Sequence, residues 1–134
     1  MLIDLGSLNY LPVIVGGAVY MLYGGIYYSV ALSNKKESKN KDILANQSKG
    51  PFKYIYSVII AFISSLLMAV LIQSTGTETL WEGMGIGFII GVIISMVYLK
   101  NTLFGLMSKK SLVIAVGDHL TIFTLLGAIH GLMM

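Results

Sequence analysis

Cysteine and arginine are both absent from this sequence of 134 residues. Without cysteine, the chain has no disulfides, no thiolate nucleophile, no cysteine-ligated zinc and no iron–sulfur cluster. Without arginine, it lacks the planar group that binds phosphates and guanine edges through paired hydrogen bonds. The basic pI of about 9.1 therefore does not indicate a nucleic-acid-binding protein.

Charged residues are also scarce, at 11% of the chain, whereas an ordinary soluble domain has about 25%. Hydrophobic residues make up 56% of the sequence. A chain of this length cannot bury so much apolar surface in one water-facing core. The composition excludes an ordinary soluble domain and a disordered chain, and it predicts an integral membrane protein.

Four apolar segments predict four transmembrane helices, because each is close to the roughly 20 residues that cross a bilayer core of about 30 Å. We place these helices at about residues 8–32, 54–73, 80–99 and 111–133. Lipid offers no partners for backbone polar groups, and the alternation typical of membrane strands is absent. We expect one domain over residues 1–134, an all-α membrane four-helix bundle, with a flexible lysine-rich loop at residues 33–53 and a short amphipathic turn at residues 42–46.

All nine lysines lie in two loops that four spans would place on one side, six in residues 33–53 and three in residues 100–110. The opposite side has only the acidic residues Asp4, Glu78 and Glu82. The positive-inside rule predicts a multi-pass cell-membrane protein with cytoplasmic lysine loops and both termini outside. The lysine-rich loop could also bind anionic lipid headgroups, but we favour the interpretation that its lysines only determine the topology. The frequent use of lysine and isoleucine, with lysine as the basic residue of the loops, suggests an AT-rich prokaryotic genome.

Small residues recur at four-residue spacing on the third predicted span, and a shorter pair lies on the fourth. Such residues let helix backbones approach closely in lipid. We expect them to pack helices within one bundle, and we expect a homo-oligomer, a dimer or larger. The residues are Gly83, Gly87, Gly91 and Ser95, then Gly127 and Gly131.

Asp118 and His119 are ionisable residues inside the fourth predicted span. Asp118 is seven residues beyond Ser111, about 10 Å deeper along a helix, where a charge costs at least about 2.5 kcal/mol. Adjacent helix residues do not face each other, so we expect separate partners. Tyr28 fits an aromatic belt at the membrane surface. Candidate partners at matching depth are Tyr23, Tyr27, Ser64, Ser65 and Ser95.

His130 follows His119 by eleven residues, about three turns, which predicts one shared face and places His130 near Glu82. These side chains and Asp118 form either two hydrogen-bonded clamps, which we favour, or one polar track across the membrane. The two histidines would lie about 16 Å apart, too far to share a metal. We predict no catalytic residue, metal site, cofactor or enzyme activity, because no catalytic or nucleotide-binding motif occurs.

Two short motifs resemble the small membrane protein family named domain of unknown function 1761. One is the stretch from Gly24 to Tyr28, where the family has a Gly-x-x-Trp-Tyr pattern and this chain has Tyr27 in place of the Trp. The other is His119-Leu120, followed by residues 126–129. The resemblance implies a fold of four short helices and importance for Tyr28 and His119, and it implies no particular activity.

Two functions fit these features. The first is an oligomeric channel or transporter for a proton, an ion or a small solute, because polar residues inside a span mark such pathways. The second is a membrane accessory or interaction protein in which the same residues only lock helix packing.

Overall fold

The computed structural model describes residues 4–32 and 37–134, and these residues are helical apart from their connections. A short 3-10 turn at Leu5–Ser7 precedes the α-helices. Four of them are long and apolar enough to cross a membrane, which confirms an all-α protein with four candidate spans. The helices are α1 (Leu11–Ala31), α2 (Glu37–Ala45), α3 (Phe52–Ser74), α4 (Leu80–Leu103) and α5 (Lys109–Leu132).

The main difference from the predicted layout lies in the lysine-rich loop. Where a linker with one turn at residues 42–46 was expected, α2 forms a helix of nine residues. The helices α4 and α5 also continue past the predicted ends to include Lys100 and Lys109. Lysine is tolerated there because its long side chain can reach the polar interface from a helix end. Lys35 and Lys36 lie outside the described residues.

Hydroxyl caps define where α4 and α5 begin. The Thr79 Oγ1 atom accepts a hydrogen bond from the Glu82 N–H at 3.2 Å, and the Ser108 Oγ atom accepts one from the Ser111 N–H at 3.1 Å. Each contact satisfies a backbone donor that the first helical turn leaves free. Gly105, with φ of 80°, lets the chain reverse between the two helices.

The spanning helices form two antiparallel hairpins, α1 with α3 and α4 with α5. α5 packs against both helices of the α1–α3 hairpin as well as against α4, whereas α4 packs mainly against α5. One end of the bundle, called the lysine end here, holds the end of α1, the start of α3, the end of α4 and the start of α5. The lysines that the structure describes all lie at or beyond this end.

The apolar core lies where the two hairpins meet. Met68, Ile72 and Leu126 are fully buried there, and aromatic and branched side chains surround them. On the α4 side, Gly83, Gly87 and Gly91 are buried against the backbone of α5. The predicted stripe of small residues thus packs against a helix of the same chain.

Candidate functional site

Asp118 is the buried acid at the centre of the candidate site, with 4% of its surface exposed. Its Oδ2 atom accepts a hydrogen bond from the Tyr28 hydroxyl at 2.7 Å. The prediction that Tyr23 or Tyr27 would be its partner was wrong, because of the register between α1 and α5. The helices run antiparallel with Gly16 beside His130, so Tyr28, twelve residues after Gly16, meets Asp118, twelve residues before His130.

Tyr27 and Tyr23 support the same region without touching the carboxylate. The Tyr27 hydroxyl donates to the Ile114 carbonyl oxygen at 2.8 Å and covers Gly117, where an added Cβ would lie 2.6 Å from the hydroxyl oxygen. The Tyr23 ring stacks on the Tyr27 ring, with centroids 5.6 Å apart. Tyr27 and Tyr23 thereby fix the position of α1 beside α5.

His119 makes hydrogen bonds of its own next to Asp118. Its Nδ1 atom lies 2.7 Å from the Ala115 carbonyl oxygen, which can only accept, so we assign the ring proton to Nδ1. The Nε2 atom is then free to accept from the Tyr98 hydroxyl, 3.4 Å away on α4. Tyr98 was not among the predicted site residues. The signal for it was present, since it is a tyrosine seven residues after Gly91 near the lysine end of α4.

Aromatic side chains surround the Asp118 carboxylate. Tyr27 lies against Tyr28 with ring centroids 5.5 Å apart, Tyr98 lies against His119 with centroids 5.2 Å apart, and Tyr20 meets Phe123; with Tyr28 we call these tyrosines the tyrosine cluster. Phe123 lies between His119 and Tyr20, because its ring stacks on the His119 ring and meets the Tyr20 ring edge to face. The acid is therefore set among rings and hydroxyls rather than among cations.

No lysine of the described residues lies within 4 Å of Asp118. The one basic group near it is His119. Its Nδ1 atom lies 3.7 Å from the Asp118 Oδ2 atom and is hydrogen-bonded to the Ala115 carbonyl oxygen. A carboxylate in a low-dielectric region is costly unless a positive charge or several donors offset it. Among the described residues, the Asp118 carboxyl therefore has one hydroxyl donor and one imidazole neighbour.

A cavity of about 180 Å³ opens at the lysine end, beside this site. The Tyr28 side chain lines the cavity and also bonds to Asp118, so it separates the cavity from the acid. Apart from Tyr28 and one serine hydroxyl, the walls are apolar. The lining residues are Tyr28, Leu32, Ile43, Met107, Ser111, Ile114 and Ala115.

A second polar group, Ser65 with His130, lies in the opposite half of the bundle. The Ser65 Oγ atom is 3.0 Å from His130 Nε2 and 2.9 Å from the Val13 carbonyl oxygen. Because that carbonyl can only accept, we assign the serine proton to it and the imidazole proton to Nε2. His130 Nδ1 is then an acceptor, buried and without a hydrogen-bond partner among the described residues.

The predicted contact between His130 and Glu82 was wrong. Glu82 is exposed at the start of α4, where its Oε2 atom accepts from the Glu78 N–H at 3.4 Å. On α5, Gly127 and Gly131 face α4, and this turns His130 toward α1 and α3. Although eleven residues separate the two histidines, their rings contact different helices, because α5 has neighbours on three sides.

The two polar groups are separated by an apolar layer. Asp118 and His130 are twelve residues apart on α5, about 18 Å along a helix, and Ile122 and Leu126 are fully buried between them. Ser95 does not join them, since its hydroxyl donates to the Gly91 carbonyl oxygen of its own helix at 2.7 Å. In the described residues these side chains form two separate groups rather than one continuous track.

Residues 11–131 match the family described as Protein of unknown function (DUF1761). The chain belongs to this family. The match runs from the first residue of α1 into the last turn of α5, so it includes both polar groups and confirms the family that the sequence motifs resemble. No curated protein and no solved structure matches the chain.

Proposed function

We propose that this DUF1761 protein carries a proton or a small cation across the membrane, and that Asp118 is the group that binds it. The observation that carries the proposal is a carboxyl group, 4% exposed on a spanning helix, whose one basic neighbour among the described residues is the His119 imidazole at 3.7 Å. Ionisable residues inside membrane spans are rare and commonly mark pathways for ions or protons. In this proposal the lysine end faces the cytoplasm and both termini lie outside.

Hydrogen bonding alone does not account for an acid at this position. The Tyr28 hydroxyl needs an acceptor, and an asparagine or serine oxygen would serve without the cost of a buried charge. The cavity at the lysine end supports access from that side, because its wall includes Tyr28. Passage to the other side would require the layer around Ile122 and Leu126 to open, either within one chain or in a homo-oligomer.

The test uses purified protein in liposomes that contain a pH-sensitive dye, with a pH gradient across the membrane. Wild-type protein should collapse the gradient faster than empty liposomes. Asp118→Asn should abolish this difference and remain folded, because asparagine keeps the side-chain size and an oxygen that accepts from Tyr28. Glu78→Gln, which removes an exposed acid from the loop before α4, is the matched control and should behave as wild type. Equal rates for wild-type protein and empty liposomes would reject the proposal.

A second candidate function is that of a membrane accessory protein that transports nothing. The observation in its favour is that both polar groups bridge helices, Asp118 to Tyr28 on α1 and His130 to Ser65 on α3. In that case His119→Ala, which removes the acceptor for Tyr98, should lower the melting temperature, and the wild type should show no flux. For a transporter, the same change should remove pH-dependent flux from a protein that stays folded. Measuring flux and melting on the same preparations separates the two functions.

A further inference from the structure

We propose that the ion bound at Asp118 is a proton, and that it reaches the carboxyl group from the lysine end through the Tyr28 hydroxyl. This inference rests on the proposed function and specifies its substrate, because that function includes either a proton or a small cation. The observation that carries it is a series of hydroxyls, at Ser108, Ser111 and Tyr28, that leads past the cavity to the buried acid.

The outer part of this route lies at the start of α5. Ser108 is exposed, and its hydroxyl donates to the Ser111 Oγ atom at 2.9 Å. Ser111 lines the cavity, whose volume of about 180 Å³ has room for a few water molecules, since each takes up about 30 Å³ in the liquid. The Ser111 and Tyr28 hydroxyls are polar partners for such water in walls whose other side chains are apolar.

Tyr28 connects the cavity to the acid. Its side chain lines the cavity, and its hydroxyl donates to the Asp118 Oδ2 atom at 2.7 Å. Within the described residues, no hydrogen-bond donor is placed on the Tyr28 oxygen, so a lone pair is left for water. A phenol hydroxyl that donates on one side and accepts on the other can relay a proton.

Transfer through Tyr28 leaves the tyrosine unchanged. A hydronium ion in the cavity gives a proton to the Tyr28 oxygen while the hydroxyl proton passes to the Asp118 Oδ2 atom. The Tyr28 oxygen thus forms one O–H bond and breaks another, the hydronium ion becomes water, and the carboxylate becomes a neutral acid. Rotation about the Tyr28 C–O bond then returns the new hydroxyl proton toward Asp118.

The same contact favours a proton over a larger cation. Asp118 is 4% exposed and is not among the residues that line the cavity, so a cation there would have to displace Tyr28 to touch the carboxylate. That displacement would break the hydrogen bond to Asp118. The apolar side chains of the cavity wall offer no oxygen to replace the hydration shell of a metal ion. A proton needs no such opening, because it moves by exchange of O–H bonds.

The other titratable groups near the acid do not connect it to the cavity. The Tyr98 hydroxyl lies 3.4 Å from His119 Nε2 on the α4 side, and the Tyr27 hydroxyl donates to a carbonyl oxygen of α5. The one charged residue of α3, Lys53, donates to the Gln47 side chain at 2.7 Å. In the described part of the chain, none of these side chains lines the cavity.

The first test measures proton flux in sodium-free liposomes that contain a pH-sensitive dye, with potassium and valinomycin to balance the charge. Tyr28→Phe keeps the ring and removes the relay hydroxyl, so we expect the flux to fall by about tenfold or more. Tyr54→Phe removes a hydroxyl from an exposed residue of α3 and should behave as wild type. Melting temperatures of the same preparations establish that each variant is folded.

Tyr28→Ala separates a relay from structural support. It removes the ring as well as the hydroxyl, so it costs more packing than Tyr28→Phe, but it opens the space between the cavity and Asp118 to water. A relay predicts more flux in Tyr28→Ala than in Tyr28→Phe, whereas structural support predicts less. Flux in Tyr28→Phe equal to that in Tyr54→Phe, or flux in Tyr28→Ala at or below that in Tyr28→Phe, would overturn the route through the hydroxyl.

Uptake of radiolabelled sodium by wild-type protein tests the substrate without relying on any variant of Tyr28. We expect no more uptake than in empty liposomes. Sodium uptake that is lost in Asp118→Asn would overturn the proton as the substrate and leave the proposed function standing. Neither proton nor sodium flux above that of empty liposomes would overturn the proposed function itself. Proton flux that Tyr28→Phe reduces, without sodium uptake, would support both proposals.

Discussion

Gly83 of α4 and Gly127 of α5 lie backbone against backbone, so that a Cβ added to either would overlap the carbonyl oxygen of the other. The same closeness recurs one turn further along, where a Cβ on Gly87 would overlap the Phe123 carbonyl oxygen. Contact of this kind stabilises helix pairs in lipid through dispersion and weak Cα–H contacts, since burial of apolar surface gives little advantage there. The α4–α5 hairpin therefore depends on the absence of side chains at these positions.

Gly87→Leu should destabilise the protein strongly. The added side chain meets backbone atoms of α5, which cannot move aside as a flexible side chain can, so we expect a loss of about 3 kcal/mol or more in the free energy of unfolding. Gly85→Leu is the matched control, because a Cβ at Gly85 meets nothing within 4 Å. Thermal unfolding in detergent measures both. Equal melting temperatures for the two variants would contradict the close contact between α4 and α5.

Gly16→Ala should disturb the polar group in the opposite half of the bundle. A Cβ at Gly16 would overlap the Ser65 hydroxyl and lie 3.1 Å from His130 Nε2, so the serine must rotate away from the histidine. We expect a loss of about 1–2 kcal/mol, the usual cost of breaking a buried hydrogen bond. Gly25→Ala, on the same helix in open space, should be neutral or slightly stabilising. If both variants unfold at the wild-type temperature, Gly16 is not needed for the Ser65–His130 contact.

Tyr28→Phe should weaken the link between α1 and α5. The change removes the hydroxyl that donates to Asp118 and leaves a buried acid without this partner, so we expect a loss of about 1–3 kcal/mol. Tyr54→Phe removes a hydroxyl from a residue that is 66% exposed and should have no effect. Chemical unfolding followed by circular dichroism gives both values. A Tyr28→Phe protein as stable as Tyr54→Phe would show that the hydroxyl contributes nothing to the fold.

Single cysteines should report the predicted orientation without interference, since the native chain has none. Lys110→Cys lies at the lysine end, and Glu78→Cys lies in the connection between α3 and α4. An impermeant maleimide applied to intact cells should label position 78 and should label position 110 only after the cells are opened. Labelling of position 110 in intact cells would place the lysine end outside and reverse the topology.

The fold followed from the sequence because lipid leaves an apolar chain few choices. Four uncharged stretches of spanning length lead to helices, since no other backbone arrangement available to them satisfies its own polar groups. The four-residue spacing of Gly83, Gly87 and Gly91 also indicated a close packing surface. The sequence pattern did not show which helices pack against each other. The central position of α5 depends on how two hairpins meet, and no local periodicity encodes that.

The acid of the candidate site could be predicted from the sequence, whereas its hydrogen-bond partner could not. Asp118 stands out because a carboxyl inside an apolar span is costly wherever its neighbours lie. Its partner Tyr28 did not stand out, since a tyrosine near the end of a span equally suits the membrane surface. Adjacent residues point about 100° apart on a helix, so the rotation of α1 about its axis decides between Tyr27 and Tyr28. Likewise Glu82 and His130 share a depth, but the side of α5 that His130 faces is set by the glycines beside it.

The central position of α5 has a consequence for how the protein is made. The helices leave the ribosome in order, and α4 packs mainly against α5, which follows it. Until α5 enters the membrane, α4 has little protein to bind and its glycine face is open to lipid or to other helices. The α1–α3 hairpin can form earlier, with the Ser65 hydroxyl on the Val13 carbonyl oxygen, but the Tyr28 hydroxyl gains its partner Asp118 only when α5 is present. The bundle is therefore complete only after α5 has entered the membrane.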